Sequence, residues 1–432
     1  MIEQNEKSLA EERVPLNWME KTVFVFLLLY ALFSSISIAG SNMSVSIATL
    51  FAMICFIRRP FKIQIEKRFI VVIGVFFLTL LVSSIFAYKP SVGIKTIWKH
   101  FCHMLPLFLA VPFLKTRRQM MSVLILMAVS IGIADGYAIW QGAYEHLRAK
   151  GFSANQMIFA GYLTLMIPIL AVISLNLRPL ELKAKICFIT ISVLSLVALI
   201  YKGTRGALLA VAVALILYAM MRVQSKKWKM AGVITVFIIF GIVIALFPQV
   251  QSRFSTLSNI RQSSDYERIL IWRGAWRMFL DHPLTGVGPG NFKTLYRERY
   301  ISAEAFMRKC PHAHNNFLQF LAEGGILGFA GFMLLFGGIL CFICREYRRG
   351  NKANPLPLAA FLATIALLLQ GLTEYNFGDS AVIRMYWFIL GLYYAGQSIG
   401  FNEERPLLEK PMEKEGLSGV DDGPAGKEAP IA

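Results

Sequence analysis

The run from His314 to Cys344, HNNFLQFLAEGGILGFAGFMLLFGGILCFIC, is apolar over most of its length. It exceeds the roughly 20 residues that a helix needs to cross a bilayer core. Comparable runs recur along the chain. Of its 432 residues 56% are hydrophobic and 16% charged, against about 45–50% and about 25% in ordinary soluble domains. This composition predicts an all-α, polytopic integral membrane protein and excludes a soluble enzyme with a peripheral anchor. Apolar windows punctuated by Lys and Arg predict about twelve transmembrane helices, near 22–40, 43–57, 69–88, 97–114, 119–142, 157–177, 186–203, 206–222, 230–247, 314–344, 355–373 and 381–400. The second is short and the tenth long, so one is expected to tilt and the other to project beyond the lipid.

The same windows divide the chain into an N-terminal segment (1–21), nine spans (22–247), a large loop (248–313), three spans (314–400) and a tail (401–432). The polar, acidic start MIEQNEKSLAEERVPLNWMEK has no basic n-region, so the first span is expected to be retained. The charged, Gly- and Pro-containing tail is expected to be disordered. With the N-terminus inside, nineteen basic residues fall in inner loops, among them Arg58, Arg59, Lys115, Arg178, Lys226, Arg345 and Arg348. Short outer loops hold few, and none lies around Glu374. The positive-inside rule therefore puts both termini in the cytoplasm and the 248–313 loop outside it.

A net charge of +18 would suit nucleic acid, but basic residues at span ends serve helix orientation and anionic headgroups instead. No nucleic-acid partner is expected. Five of the six cysteines lie in apolar runs and read as buried small hydrophobes, and only Cys310 lies in a polar segment. No disulfide framework is expected.

Three stretches carry chemistry. The large loop holds ten basic against five acidic residues, including Arg261, Arg268, Arg273 and Arg277. Guanidinium forks match phosphate oxygens, so a polyanionic ligand at the outer face is expected, with a headgroup-binding surface as the alternative. Within it, YERILIWRGAWRMFLDHP spaces Ile269, Trp272, Trp276 and Phe279 at helical intervals and predicts an amphipathic surface helix. The turn YKGTRGA sets Lys202 and Arg205 beside Gly203 and Gly206 at the outer membrane boundary. A charge at that depth is functional, paired or snorkelling.

The third stretch is CPHAHNNF. His312, His314, Asn315 and Asn316 open the tenth span, where free N–H groups favour an anion and an imidazole suits general-base work. A capping or packing role for His314 is the alternative. Cys310, His312 and His314 match no strong metal-ligand spacing, and no metal or other cofactor is expected. GVGPGNF (Gly286 to Phe292) follows no strand and reads as a rigid turn. His100 and His103 read as packed or interfacial. Asp135, alone in the fifth span, is a functional candidate without a visible pathway.

The layout of spans, YKGTRGA, ERILIWRGAWRMFLDHPLTGVGPGNF and HAHNNFLQFLAEGGILG together resemble the O-antigen ligase family, over roughly residues 20–400. The most specific element is His314-Asn315, nine residues, then Gly325. That resemblance implies a fold like the C-type glycosyltransferases. It implies transfer of a glycan from undecaprenyl pyrophosphate to the lipid A core sugar, at the periplasmic face of the bacterial inner membrane and without a metal. It also implies that Arg205 and Arg268 bind the pyrophosphate and that His314 activates the acceptor hydroxyl. Arg273, Arg277, His312, Asn315 and Lys202 are expected to contact substrates. The competing readings are an O-antigen polymerase joining repeat units on the same carrier and, from another class, an organic-anion transporter.

Overall fold

The computed structural model describes residues 18–61, 63–144, 149–176, 182–222, 264–306, 310–349 and 354–399, with single positions between 225 and 241. The protein is all-α, with no strand among these residues. Its principal helices are α1 (Trp18–Phe33), α2 (Ile38–Arg58), α3 (Lys67–Ile85), α4 (Pro90–Phe113), α5 (Arg117–Ala143), α6 (Gln156–Asn176), α7 (Leu182–Lys202), α8 (Arg205–Arg222), α9 (Ser264–Asp281), α10 (Asn316–Arg349), α11 (Leu356–Gln370) and α12 (Ser380–Ser398). Seven of them (α2, α3, α5, α6, α7, α8 and α10) are long and apolar enough to cross a membrane. Eleven of the twelve expected spans have a helix at their place, and the few described residues of the ninth are helical. Most of that span, like 248–263, Arg308, Lys309, the N-terminal segment and the tail, lies outside the described residues.

Local chemistry sets many helix starts. Ser37 accepts from the Gly40 N–H at 3.1 Å and begins α2 five residues earlier than hydropathy suggested. Thr116 and Gln119 form a reciprocal capping box on α5. Asn155 receives the Met157 and Ile158 N–H groups at 2.9 Å and starts α6. The helices α6 and α12 are apolar nearly all round and buried nearly all round, as expected of helices at the centre of a bundle. In contrast α2 and α3 keep Leu50, Met53, Val71 and Leu78 exposed, a surface suited to lipid.

The long tenth span is broken rather than merely projecting. Gly325 lies at φ 58°, ψ −160° inside α10, a region open essentially to glycine alone. The freed backbone groups bind the segment after α9. Val287 and Gly288 donate to the Ala322 and Glu323 carbonyls at 2.9 and 2.8 Å, and Ile326 donates to the Pro283 carbonyl at 2.8 Å. The approach is close: a Cβ at Gly325 would lie 2.5 Å from the Leu284 carbonyl oxygen, and one at Gly286 2.5 Å from that of Glu323. The glycine nine residues beyond His314-Asn315 and the glycines of GVGPGNF are thus two halves of one joint.

The joint holds α9 against α10. Leu270, Ile271, Ala275 and Met278 of α9 are buried, and the last three pack with Phe292, Leu295, Tyr296, Cys310 and Ala313. Of the expected apolar residues Trp276 is exposed and Ile269 and Phe279 only half-buried, so the face that packs on the protein is a different one. The small residues Gly274 and Ala275 let α9 sit close to its neighbours, and bulkier side chains are left on the outward face. Trp272 still turns inward, donating its indole N–H to the Ala313 carbonyl at 2.9 Å.

Candidate functional site at the start of α10

Asn315 and Asn316 anchor the site. Asn315 Oδ1 accepts from the Phe317 and Leu318 N–H groups at 2.8 and 3.0 Å, so Asn315, not His314, caps α10. Its amide donates to the Leu372 carbonyl at 2.8 Å. The Asn316 N–H donates to the Gly371 carbonyl at 2.7 Å, and its side-chain amide to Asn376 Oδ1 at 2.6 Å. These bonds clamp the start of α10 to the turn between α11 and α12, which carries Glu374.

His314, immediately before the cap, has φ 49° and is the one non-glycine residue with positive φ among the described residues. Such a conformation costs of order 1–3 kcal/mol and persists only where the surroundings enforce it. Here it aims the imidazole at Glu374: Nδ1 lies 3.1 and 3.2 Å from the two carboxylate oxygens. Arg268 approaches the same carboxylate from α9, Nη2 to Oε2 at 3.6 Å. Arg205, at the start of α8, pairs with Asp265 at the start of α9 at 2.5 Å. Gly206 brings α8 so close to the Glu374 turn that a Cβ there would strike the Thr373 hydroxyl. Four chain segments far apart in sequence therefore meet in one half-buried cluster of Arg205, Asp265, Arg268, His314 and Glu374.

The two histidines of this mouth are driven apart in basicity. Burial and the charge of His314 push His312 down to about 4. It is thus neutral near pH 7, in keeping with its Nδ1 accepting the His314 N–H at 3.3 Å. Burial would lower His314 as well, but hydrogen bonds to Cys310 and Glu374 and the Glu374 charge override it and hold His314 up at about 9. Burial opposes ionisation of Glu374. The hydrogen bond and charge of His314, with the charge of Arg268, nonetheless keep it below the usual carboxylate range. Neighbouring groups of one type with opposed shifts are a mark of acid–base sites.

Of the residues singled out in sequence, Arg205, Arg268, His312, His314 and Asn315 come together, the last with its polar atoms committed to the cap. Lys202 is fully buried and donates to Thr204 at 2.9 Å. Arg273 and Arg277 are exposed, roughly 140° and 180° around α9 from Arg268 at 100° per residue. Asp265 and Glu374 escaped the sequence reading. The signal for Asp265 was its position three residues before Arg268 on one helix, and for Glu374 its place as a lone carboxylate in a loop noted only for lacking basic charge. Among the described residues, ligand atoms of His312, His314 and Glu374 lie within 4.8 Å of one another, near enough to share a cation. Arg268 already brings positive charge to that carboxylate. The Cys310 thiol donates to the His312 carbonyl at 2.9 Å and is not among those three residues.

Residues 190–333 match the family model described as O-antigen ligase. The chain is also similar to the O-antigen ligase of Salmonella typhimurium strain LT2, 28% identical over 163 residues, covering 36% of this chain. It spans only about 40% of the length of that relative. The matched family segment runs from α7 into α10 and contains Arg205, Asp265, Arg268 and His314. Over this segment the chain is similar to the O-antigen ligase family.

Proposed function

We propose that the protein is an O-antigen ligase that transfers a glycan from undecaprenyl pyrophosphate to the lipid A core sugar. The reaction takes place at the periplasmic face of the inner membrane and requires no metal. The observation that carries this reading is the single mouth in which a carboxylate-held imidazole stands beside two guanidinium groups. With Nδ1 turned to Glu374, His314 keeps Nε2 for the acceptor. The acceptor hydroxyl passes its proton to Nε2 as its oxygen attacks the anomeric carbon. The bond from that carbon to the pyrophosphate oxygen breaks, and its electron pair remains on the pyrophosphate. Arg205 and Arg268 stabilise that charge, a role that fixed donors fill without a metal. Glu374 stabilises the imidazolium that forms. Only a minor share of His314 is neutral near pH 7, but that share is a strong base. A one-step displacement inverts the anomeric centre.

The test is a transfer assay with purified protein in nanodiscs, a lipid-pyrophosphate oligosaccharide and a core-lipid acceptor. Glycosylated core lipid is expected with or without EDTA. Arg205→Lys and Arg268→Lys, which keep the charge but lose the planar fork, are expected to lower transfer roughly tenfold or more. A lengthened carrier-linked glycan as sole product would instead make the protein a polymerase. EDTA-sensitive transfer restored by a divalent ion would return the His312, His314 and Glu374 cluster to a metal role.

A further inference from the structure

The two arginines of the mouth are held very differently. Arg205 is bound at 2.5 Å by Asp265, whereas Arg268 lies 3.6 Å from a carboxylate already engaged twice by His314. Both Arg205 and Asp265 begin helices. The positive end of a helix favours Asp265 but adds to the charge of Arg205, so Arg205 sits where an anion is most needed. Both side chains remain about one quarter exposed, so this pair can open at modest cost. A bound pyrophosphate would seek the same guanidinium face that Asp265 occupies. Glu374, nearly buried and fixed to His314, has no such freedom.

We infer that Asp265 is an internal counter-ion that competes with the pyrophosphate of the donor for Arg205, so that donor capture opens the pair and its re-formation helps expel the pyrophosphate product. This inference rests on the proposed binding of pyrophosphate by the two arginines. Capture begins at the loosely held Arg268 and is completed when Asp265 releases Arg205. The carboxylate thus limits affinity in favour of turnover, because an uncontested pair of forks would also hold the product tightly. Asp265 is a positioning residue, since it touches Arg205 rather than the reacting atoms.

The experiment measures binding of inorganic pyrophosphate to the full chain in nanodiscs for wild type, Asp265→Asn, Arg205→Ala, Arg268→Ala and the Asp265→Asn, Arg205→Ala double variant. Asp265→Asn is expected to tighten pyrophosphate roughly threefold to tenfold. The tightening should disappear in the Arg205→Ala background, as a double-mutant cycle requires of a direct pair. In turnover, KM for the lipid donor and kcat should fall together, and Asp265→Glu should behave like wild type. Unchanged or weaker pyrophosphate binding in Asp265→Asn, with Arg205→Ala still weakening it, would overturn the counter-ion and leave pyrophosphate binding standing. So would tightening that persists without Arg205, which would mean plain charge repulsion. If neither Arg205→Ala nor Arg268→Ala weakens pyrophosphate, the proposed donor site itself fails, and the counter-ion with it.

Discussion

Two regions of the molecule hold buried ionisable groups, and they treat them in opposite ways. At the mouth, His314, Glu374, Arg268, Arg205 and Asp265 are linked by three ion pairs. Inside the bundle, Asp135 on α5 takes a hydrogen bond from the Ser195 hydroxyl of α7, and its other oxygen has no partner. His100 and His103 on α4 are buried with Nδ1 unpartnered, His100 packing on Phe377 with ring centroids 5.0 Å apart. A charged group taken out of water needs its counter-charge nearby, and losing one partner strands the other. At the mouth the consequence of one substitution therefore spreads, whereas in the bundle it stays local.

The largest expected effect lies at the centre of the linked region. His314→Asn keeps a polar side chain that tolerates the left-handed backbone but cannot accept a proton near neutral pH. Transfer should fall by about 10² to 10⁴, the usual contribution of general-base catalysis, while inorganic pyrophosphate still binds. A His314→Asn protein that transfers at the wild-type rate would remove the base. Next comes the joint beneath it. Gly325→Ala places a Cβ against the Leu284 carbonyl in a backbone region closed to alanine. The expected cost is about 3 kcal/mol of stability, seen as a lowered unfolding temperature in detergent. An unchanged unfolding temperature would mean that the α9 joint is looser than its geometry.

The contrast between the regions also explains what could be read in the sequence. Membrane helices announce themselves through runs such as Gln156–Asn176, because lipid demands an apolar surface whatever the neighbours. Arg205 stands out as a charge at the membrane boundary and His314 as an imidazole opening a span, whereas Arg268 is one of ten basic loop residues and is singled out by the family resemblance. Their carboxylate partners do not stand out. The pairing of Asp265 with Arg205 depends on α8 and α9 starting side by side, and that of Glu374 on the Asn315 and Asn316 clamp; both are products of packing. The face of α9 that packs on the protein is hidden for a related reason. Periodicity picks out the largest apolar side chains, Trp276 among them, but the close joint selects Gly274 and Ala275.

A smaller effect separates the partners within the mouth. The Glu374 carboxylate is a main reason that His314 sits at about 9. In wild type, transfer should rise as the pH climbs toward that value and the imidazole becomes neutral. In Glu374→Gln burial prevails, His314 loses its proton more easily, and the rise should move to lower pH. Its plateau should also drop, because the amide cannot stabilise the imidazolium as an anion does. A profile with an unmoved midpoint would uncouple the two residues.

The smallest effect is expected at Asp135, and it tests the other half of the comparison. An ionisable residue inside a membrane span is a functional candidate by default, and a transporter of organic anions would need one. The surroundings of Asp135 do not supply what such a role requires: its polar partner is the Ser195 hydroxyl, a neutral donor, and Oδ1 meets no polar atom. Asparagine keeps the shape and an oxygen for Ser195. The side-chain amide would replace an oxygen that has no partner in any case, so Asp135→Asn should change stability by less than about 1 kcal/mol and leave glycan transfer at the wild-type rate. Measured beside Glu374→Gln, the same acid-to-amide change is then tolerated where a carboxylate stands alone and felt where it joins charges. Loss of transfer in Asp135→Asn, with the protein still folded, would break the comparison and tie α5 to the chemistry at the mouth.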